Sequence, residues 1–459
     1  MSLRTWSKRV VQGLLGVVLL VASAWVTSRL LGPTDAQEAA LATMRELPPL
    51  EGGDAFGALW LMSYELSESE RARVLAEDLR RLTAMPPTRD RKIDPTTPYA
   101  SSAEGRFRKQ SPSVEDMALF CGGGRDCLPV VEADPQRYAA LVERHAAIIE
   151  RAEALSAYSM IHHPRAAGLL DTVIPPYQHA KLPATRYAVD FLEGRRYEAF
   201  ERTCRGIDTW RRLGANSDTL ITRLIGAAYS VDVYGRLFVE MLARAPRDFE
   251  LPPTCAQAFM PPSGDELSMC RAMQGELFFL VSATRQLESA GSEDMSSLER
   301  ALMPVLFSAG MTEAERAEHL AFYCGEEAQR AMRTDRRIVR PEAEPDLLRF
   351  ECVGNPVGCL LSSIANPGFD NYNGRIQDAN ARLRLIAGLI RLRADTRDQR
   401  PFDVRLRSAA GNVDGSGRDA GIGPDGHSLR VRNYDSWRSE YWEIPLPAYF
   451  HASEAAASR

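Results

Sequence analysis

The sequence predicts a mainly α-helical body, preceded by one N-terminal transmembrane helix and followed by a small C-terminal β-hairpin. Three observations carry that fold class. They are an uncharged apolar run near the start, capping boxes with 3.6-residue periodicity over most of the chain, and one alternating stretch near the end. The body reads as an irregular multi-helix array of helical hairpins, solenoid-like at most. The chain has 459 residues, 45% apolar and 25% charged, which is a globular composition unlike that of disordered or multi-span membrane proteins. Its net charge of −5 gives no bulk attraction to nucleic acid. The basic residues are 4 Lys against 52 Arg. Their scatter along the chain favours GC-rich codon usage over phosphate-binding forks.

Residues 1–9 read as a basic cytoplasmic stub and residues 10–31 as the anchor. Arg4, Lys8 and Arg9 precede the uncharged run Val10 to Ser28, which is long enough to cross a hydrocarbon core as a helix. A basic flank stays in the cytoplasm and sends the rest of the chain outward. The competing reading is a signal peptide cleaved at Ala22-Ser23-Ala24. Against it, apolarity continues through Trp25, Val26, Leu30 and Leu31, with Trp25 and Arg29 suited to an interface. Both readings export residues 32 onward and place the body in a bacterial-type periplasm.

The eight cysteines fit an oxidising compartment. Cys121–Cys127 and Cys352–Cys359 are close along the chain, with glycines between them that permit a tight return, so both read as local disulfide clips. Their spacings are wider than zinc-ligand pairs and no histidine is adjacent. Longer-range pairs are expected among Cys204, Cys255, Cys270 and Cys324.

The body divides into a first helical half at 35–250 and a second at 263–400, with a loop-rich tail at 401–459. Ser67-Glu68-Ser69-Glu70 is a capping box opening a helix over Arg71 to Met85. Asp134-Pro135 opens another, whose apolar repeat from Tyr138 through His145 to Leu155 implies one long amphipathic helix. Asn216-Ser217-Asp218 caps a helix running to Ala245 that is uncharged from Leu224 to Val231, hence central and buried. Ser263-x-x-Glu266 and Thr312-x-x-Glu315 are two more capping boxes, each introducing a long segment. A last helix spans Arg375 to Ala394, and its Arg375, Arg382, Arg384, Arg391 and Arg393 read as a solvated face. Ser428 to Arg432 alternates as a strand that pairs with Glu440 to Ile444. Pro86 to Ser113, Pro252 to Pro262 and Ser408 to His427 read as linkers. Residues 188–200, AVDFLEGRRYEAF, loosely resemble a tetratricopeptide helix turn through Gly194, Tyr197 and Ala199, but no second copy follows at the period an array requires.

Familiar catalytic signatures are missing. There is no H-E-x-x-H, no G-x-S-x-G elbow, no phosphate-binding loop and no dinucleotide fingerprint. Asp414 to Asp425 has the flavour of a calcium loop, but Arg418 stands where a ligand is needed and no glutamate closes it. His162-His163, before Pro164, is the best polar pair for a site, though neighbouring side chains on a turn make joint metal binding awkward. His145 reads as a core histidine. His319 and Cys324, five apart, do not share a helical face. No cofactor or metal is expected. The function reading is a non-enzymatic protein-binding or envelope accessory protein, of assembly or immunity type, held at the inner membrane and with a protein partner. An envelope hydrolase acting on cell wall or lipid, its site assembled only by the fold, is the alternative.

Overall fold

The computed structural model describes residues 3–84, 99–122, 124, 126–165, 173–290, 295–340, 349–364, 369–395, 397–409, 418, 420–435 and 439–450. The whole of the expected linker before Tyr99, residues 86–98, and most of the Asp414–Asp419 loop lie outside them. The chain is mostly helical, as its periodicity predicts, with a small C-terminal sheet.

Helix α1 (Leu3–Leu31) contains the apolar span, Val11–Leu31, with a mean hydropathy of 2.0. It is followed by α2 (Asp35–Arg45), α3 (Phe56–Trp60) and α4 (Glu68–Thr83), the last opened by the expected Ser67–Glu70 capping box. Next come α5 (Val114–Leu119), α6 (Cys127–Ala133), α7 (Pro135–Arg144) and α8 (Ala146–Glu153). The single long helix expected after Asp134 is instead broken at His145. Its backbone leaves the helical region there, and its ring Nε2 lies 2.8 Å from Asp116. The side-chain bond to Asp116 competes with helix continuation. Asp134 does cap α7, as expected.

Helices α9 (Pro183–Leu192) and α10 (Arg196–Ala215) follow and pack on each other across a turn at Gly194. Then come α11 (Leu220–Ala228), a π-helical segment at Tyr229–Gly235, and α12 (Arg236–Arg244). The cap of α11 is Thr219, whose hydroxyl accepts from the Thr222 N–H. The Asp218 side chain is drawn away to histidine. Helices α13 (Pro253–Ala258) and α14 (Gly264–Leu267) are short. Ser263 caps α14 as expected, but the helix is a single turn because Glu266 turns to Arg211 instead of completing the box.

The remaining helices are α15 (Cys270–Ala290), α16 (Ser297–Leu306), α17 (Ala309–Ala321), α18 (Glu326–Arg333), α19 (Phe350–Gly354), α20 (Pro356–Ile364), α21 (Phe369–Ala394) and α22 (Phe402–Ala409). The Thr312–Glu315 box is not a helix start. Ser308 caps α17, while Thr312 and Glu315 are buried inside it, bonded to Asn355 and Arg349. The tail forms three strands rather than a hairpin. β2 (Ser428–Arg432) pairs antiparallel with β3 (Tyr441–Pro445) and also with β1 (Ala420–Ile422), from the stretch read as a linker.

Among the described residues two larger apolar cores, and a small third cluster of Met303, Phe307 and Ala309, hold these elements. The larger joins α3, α4 and α6–α10 to α12, much of α21 and the sheet, with Phe120, Phe200 and Phe238 fully enclosed. The smaller gathers Met44, Met273, Leu277, Leu320, Tyr323 and Ile376. The arginines of α21 are a solvated face only in part: Arg375 and Arg391 are exposed, as expected, but Arg382 and Arg384 are half-buried and Arg393 is buried. Arg375 meets Asp435, Arg382 meets Asp232 and Asn433, Arg384 meets Asp335, and Arg393 donates to the carbonyls of Pro246 and Phe249. They bind neighbouring segments of the same chain, because a helix packed on several sides offers its long side chains partners in every direction.

All eight cysteines pair. The two local clips form as expected, and the long-range pairs are Cys204–Cys255 and Cys270–Cys324. They separate into two classes by loop length, 6 and 7 residues against 51 and 54. In the chain-entropy model the long ones contribute about 4 kcal/mol each and the short ones about 2 kcal/mol. The paired serine variant at Cys204 and Cys255 is therefore expected to lower the denaturant midpoint more than the one at Cys121 and Cys127. Equal shifts would contradict that ranking.

Candidate functional site

A cleft of about 1560 Å³ opens where the two cores meet. Its floor carries Trp60, the last residue of α3, with Ser63 and Tyr64 just after it. One wall is the Pro175–His179 turn and the start of α11, and the far side includes Glu276 of α15 and Tyr372 of α21. Apolar side chains stand exposed in it: Val114 at 83%, Ile174 at 50% and Ile221 at 38%. Large apolar groups in water at a concave surface mark a place for a partner or ligand.

The polar groups in the cleft form two clusters. In one, the Tyr64 hydroxyl donates to Glu104, which also pairs with Lys109 at 3.1 Å. In the other, Ser63 Oγ lies 3.2 Å from Nδ1 of buried His179. That pairing has the outline of a nucleophile and base, but its electrostatics oppose the role. Burial, together with Lys109 and Arg151, pushes the His179 imidazole down to about 4. Among the described residues no carboxylate hydrogen-bonds to it. A general base works best with a pKa near the operating pH, and His179 is a weak one. It is a neutral polar group that can donate to or accept from a ligand. Glu276 is also occupied. It accepts from the Leu220 N–H at the start of α11, and burial raises its carboxyl above the usual range.

The expected pair His162-His163 lies behind the cleft wall, not in it. Both Nδ1 atoms are 2.9 Å from the Asp218 carboxylate, His163 fully buried and His162 with a side chain 58% exposed. Asp218 also accepts from the His163 N–H at 3.1 Å and from Arg165 at 3.1 Å. Burial pushes its carboxyl up, but hydrogen bonds from His162 and His163 outweigh this and hold it well below the usual range. The same bond raises His162 above its ordinary value. His163 Nε2 continues to Tyr177 and Thr222, both 3.2 Å away, so the cluster ties the His163 loop to the cleft's turn and to α11. Gly275 completes it, since a Cβ there would stand 1.6 Å from the Asp218 carbonyl oxygen. Among the described residues no group of three or more His, Cys, Asp or Glu side chains is placed to hold a metal.

Sequence reasoning missed Ser63, His179, Asp218 as an acceptor, and Glu276. Only the polar run Asn216 to Thr219 ahead of an uncharged helix hinted at Asp218; the others leave no linear trace.

Because His179 is neutral in the fold and titrates near its ordinary value when unfolded, the unfolded chain binds more protons between pH 6.5 and about 4. Stability is lost as pH falls through that window, by on the order of 3 kcal/mol. His162 acts with the opposite sign, stabilising below its raised pKa. Denaturant titrations at pH 7 and pH 4 are expected to show a shallower acid loss in His179→Gln than in the parent chain. Identical losses would show that His179 is not held neutral.

No family model, no curated protein and no solved structure matches the chain.

Proposed function

We propose that this chain is a membrane-anchored periplasmic protein that binds a partner protein in the cleft between its two cores, without catalysing a reaction. The cleft carries this reading. It exposes Val114, Ile174 and Ile221 beside Trp60 and Tyr64, and its one histidine is too weakly basic for acid–base work. Aromatic and aliphatic anchors around a few fixed polar groups are what an extended or helical protein segment needs. The apolar span of α1 and the four disulfides support the address: a basic flank inside, the body in an oxidising compartment. Roles in assembly or in immunity to a periplasmic toxin both fit such a binder.

One observation favours the alternative of an envelope hydrolase. Asp218 holds the half-exposed His162 by Nδ1 and raises its pKa, the arrangement of a histidine prepared for proton transfer. Against it, His162 does not line the cleft.

A photo-crosslinking phenylalanine analogue placed at Ile221 in intact cells is expected to yield a discrete protein adduct. The same probe at Tyr197, exposed at the start of α10, should not. Absence of an adduct from Ile221, with function abolished by His162→Ala, would overturn the binding reading in favour of the hydrolase.

A further inference from the structure

The end of α1 is built into the body. Trp25 Nε1 donates to the Val305 carbonyl at 2.8 Å. Ser28 donates to the Phe350 carbonyl at 2.9 Å and accepts from the Gly354 N–H at 3.0 Å. Arg29 donates to the carbonyls of Gly354 at 2.6 Å, Pro304 at 3.0 Å and Phe307 at 2.7 Å. These acceptors include the C-terminal carbonyls of α16 and α19, which lack partners within their own helices. A guanidinium also suits the negative end of a helix dipole. The fit is close: a Cβ on Gly354 would stand 2.6 Å from Ser28 Oγ. The apolar helix is therefore clamped to the body at its end, with no free tether between them.

Around that clamp the surface is apolar. Helix α16 buries only Met303 and leaves Leu298, Leu302, Val305 and Leu306 exposed. Next to it Phe350 and Val353 of α19 are exposed, as are Leu360 and Leu361 of α20. These eight are the majority of the fourteen large apolar side chains exposed beyond α1 among the described residues. A ten-residue helix with one buried residue gains almost nothing from packing in water. Leu298, Leu302 and Val305, spaced four and three apart, fall on one face.

We propose that α16, α19 and α20 form a collar that lies in the interfacial layer of the phospholipid membrane crossed by α1. The occupant follows from continuity. The clamp holds α16 and α19 against a span whose own leucines and valines require hydrocarbon, and both helices pack in turn on α20. Helices with an apolar face lie in the membrane plane with that face in the acyl boundary. The body is thus seated on the membrane, not suspended from it. This rests on α1 spanning the membrane, as proposed above.

The test uses the full chain in vesicles of phosphatidylethanolamine and phosphatidylglycerol whose acyl chains carry a diazirine. Photolabelled residues are mapped by mass spectrometry. Label is expected on α1, on residues 298–306 and on residues 350–361, and not at Tyr197. The double variant Leu302→Glu, Val305→Glu is expected to lose label from α16 while keeping it on α1, with all four disulfides formed. Label on α1 alone, or chain-to-chain crosslinks at α16 in its place, would overturn the collar and leave the span intact. Absence of label from α1 as well would overturn both.

Discussion

Asp218 stands where three segments meet with only an isolated parallel bridge, Ile161 to Ser217, in place of a sheet: the His162–Arg165 loop, the start of α11, and α15 at Gly275. A buried carboxylate costs several kcal/mol to desolvate, and only a full set of well-placed donors offsets that cost. Asp218 has four: two imidazoles, a guanidinium and a backbone N–H. The arrangement fixes the back of the cleft, because His163 passes the network on to Tyr177 and Thr222 in the wall itself.

The same device recurs wherever irregular helices must be joined. Glu313 of α17 takes Arg45 from α2 and Arg285 from α15. Asp335 takes Arg384 and Arg418, and Asp378 takes Arg418 with the backbone N–H groups of Tyr434 and Asp435. Asp78 accepts from Trp60, Ser101 and Ser102 under the cleft floor, and those bonds outweigh burial to keep its carboxyl low. Apolar burial supplies the bulk of the stability through two cores, and each core has its own long disulfide, Cys204–Cys255 or Cys270–Cys324. The buried carboxylates set how the cores meet. The cleft lies at that seam, so its shape depends on these ionic links.

Local signals were legible in the sequence where the physics is local. The Ser67 capping box, the Asp134 cap, the clips at Cys121 and Cys352 and the strand at Ser428 depend on residues within a few positions of each other. Misreadings arose where a distant partner competes for the same side chain. Glu266 leaves its box for Arg211, Thr312 and Glu315 serve Asn355 and Arg349, and His145 breaks a helix by bonding Asp116. The α21 arginines repeat the lesson, since periodicity tells which residues share a face but not what covers it. Ser63 and His179 are 116 positions apart, and nothing in either segment points to the other. Arginine abundance, read as codon usage, turns out to supply the donors for the buried acids.

Amide hydrogen exchange on Asp218→Asn tests whether this carboxylate holds the cleft wall. Asparagine keeps the size but replaces one acceptor oxygen with a donor, so His162, His163 and Arg165 can no longer all be satisfied. The account predicts faster exchange in residues 162–165 and 219–228, with α10 and its disulfide partner α13 unchanged. Unchanged exchange at 162–165 and 219–228, or an equal rise throughout the chain, would contradict it.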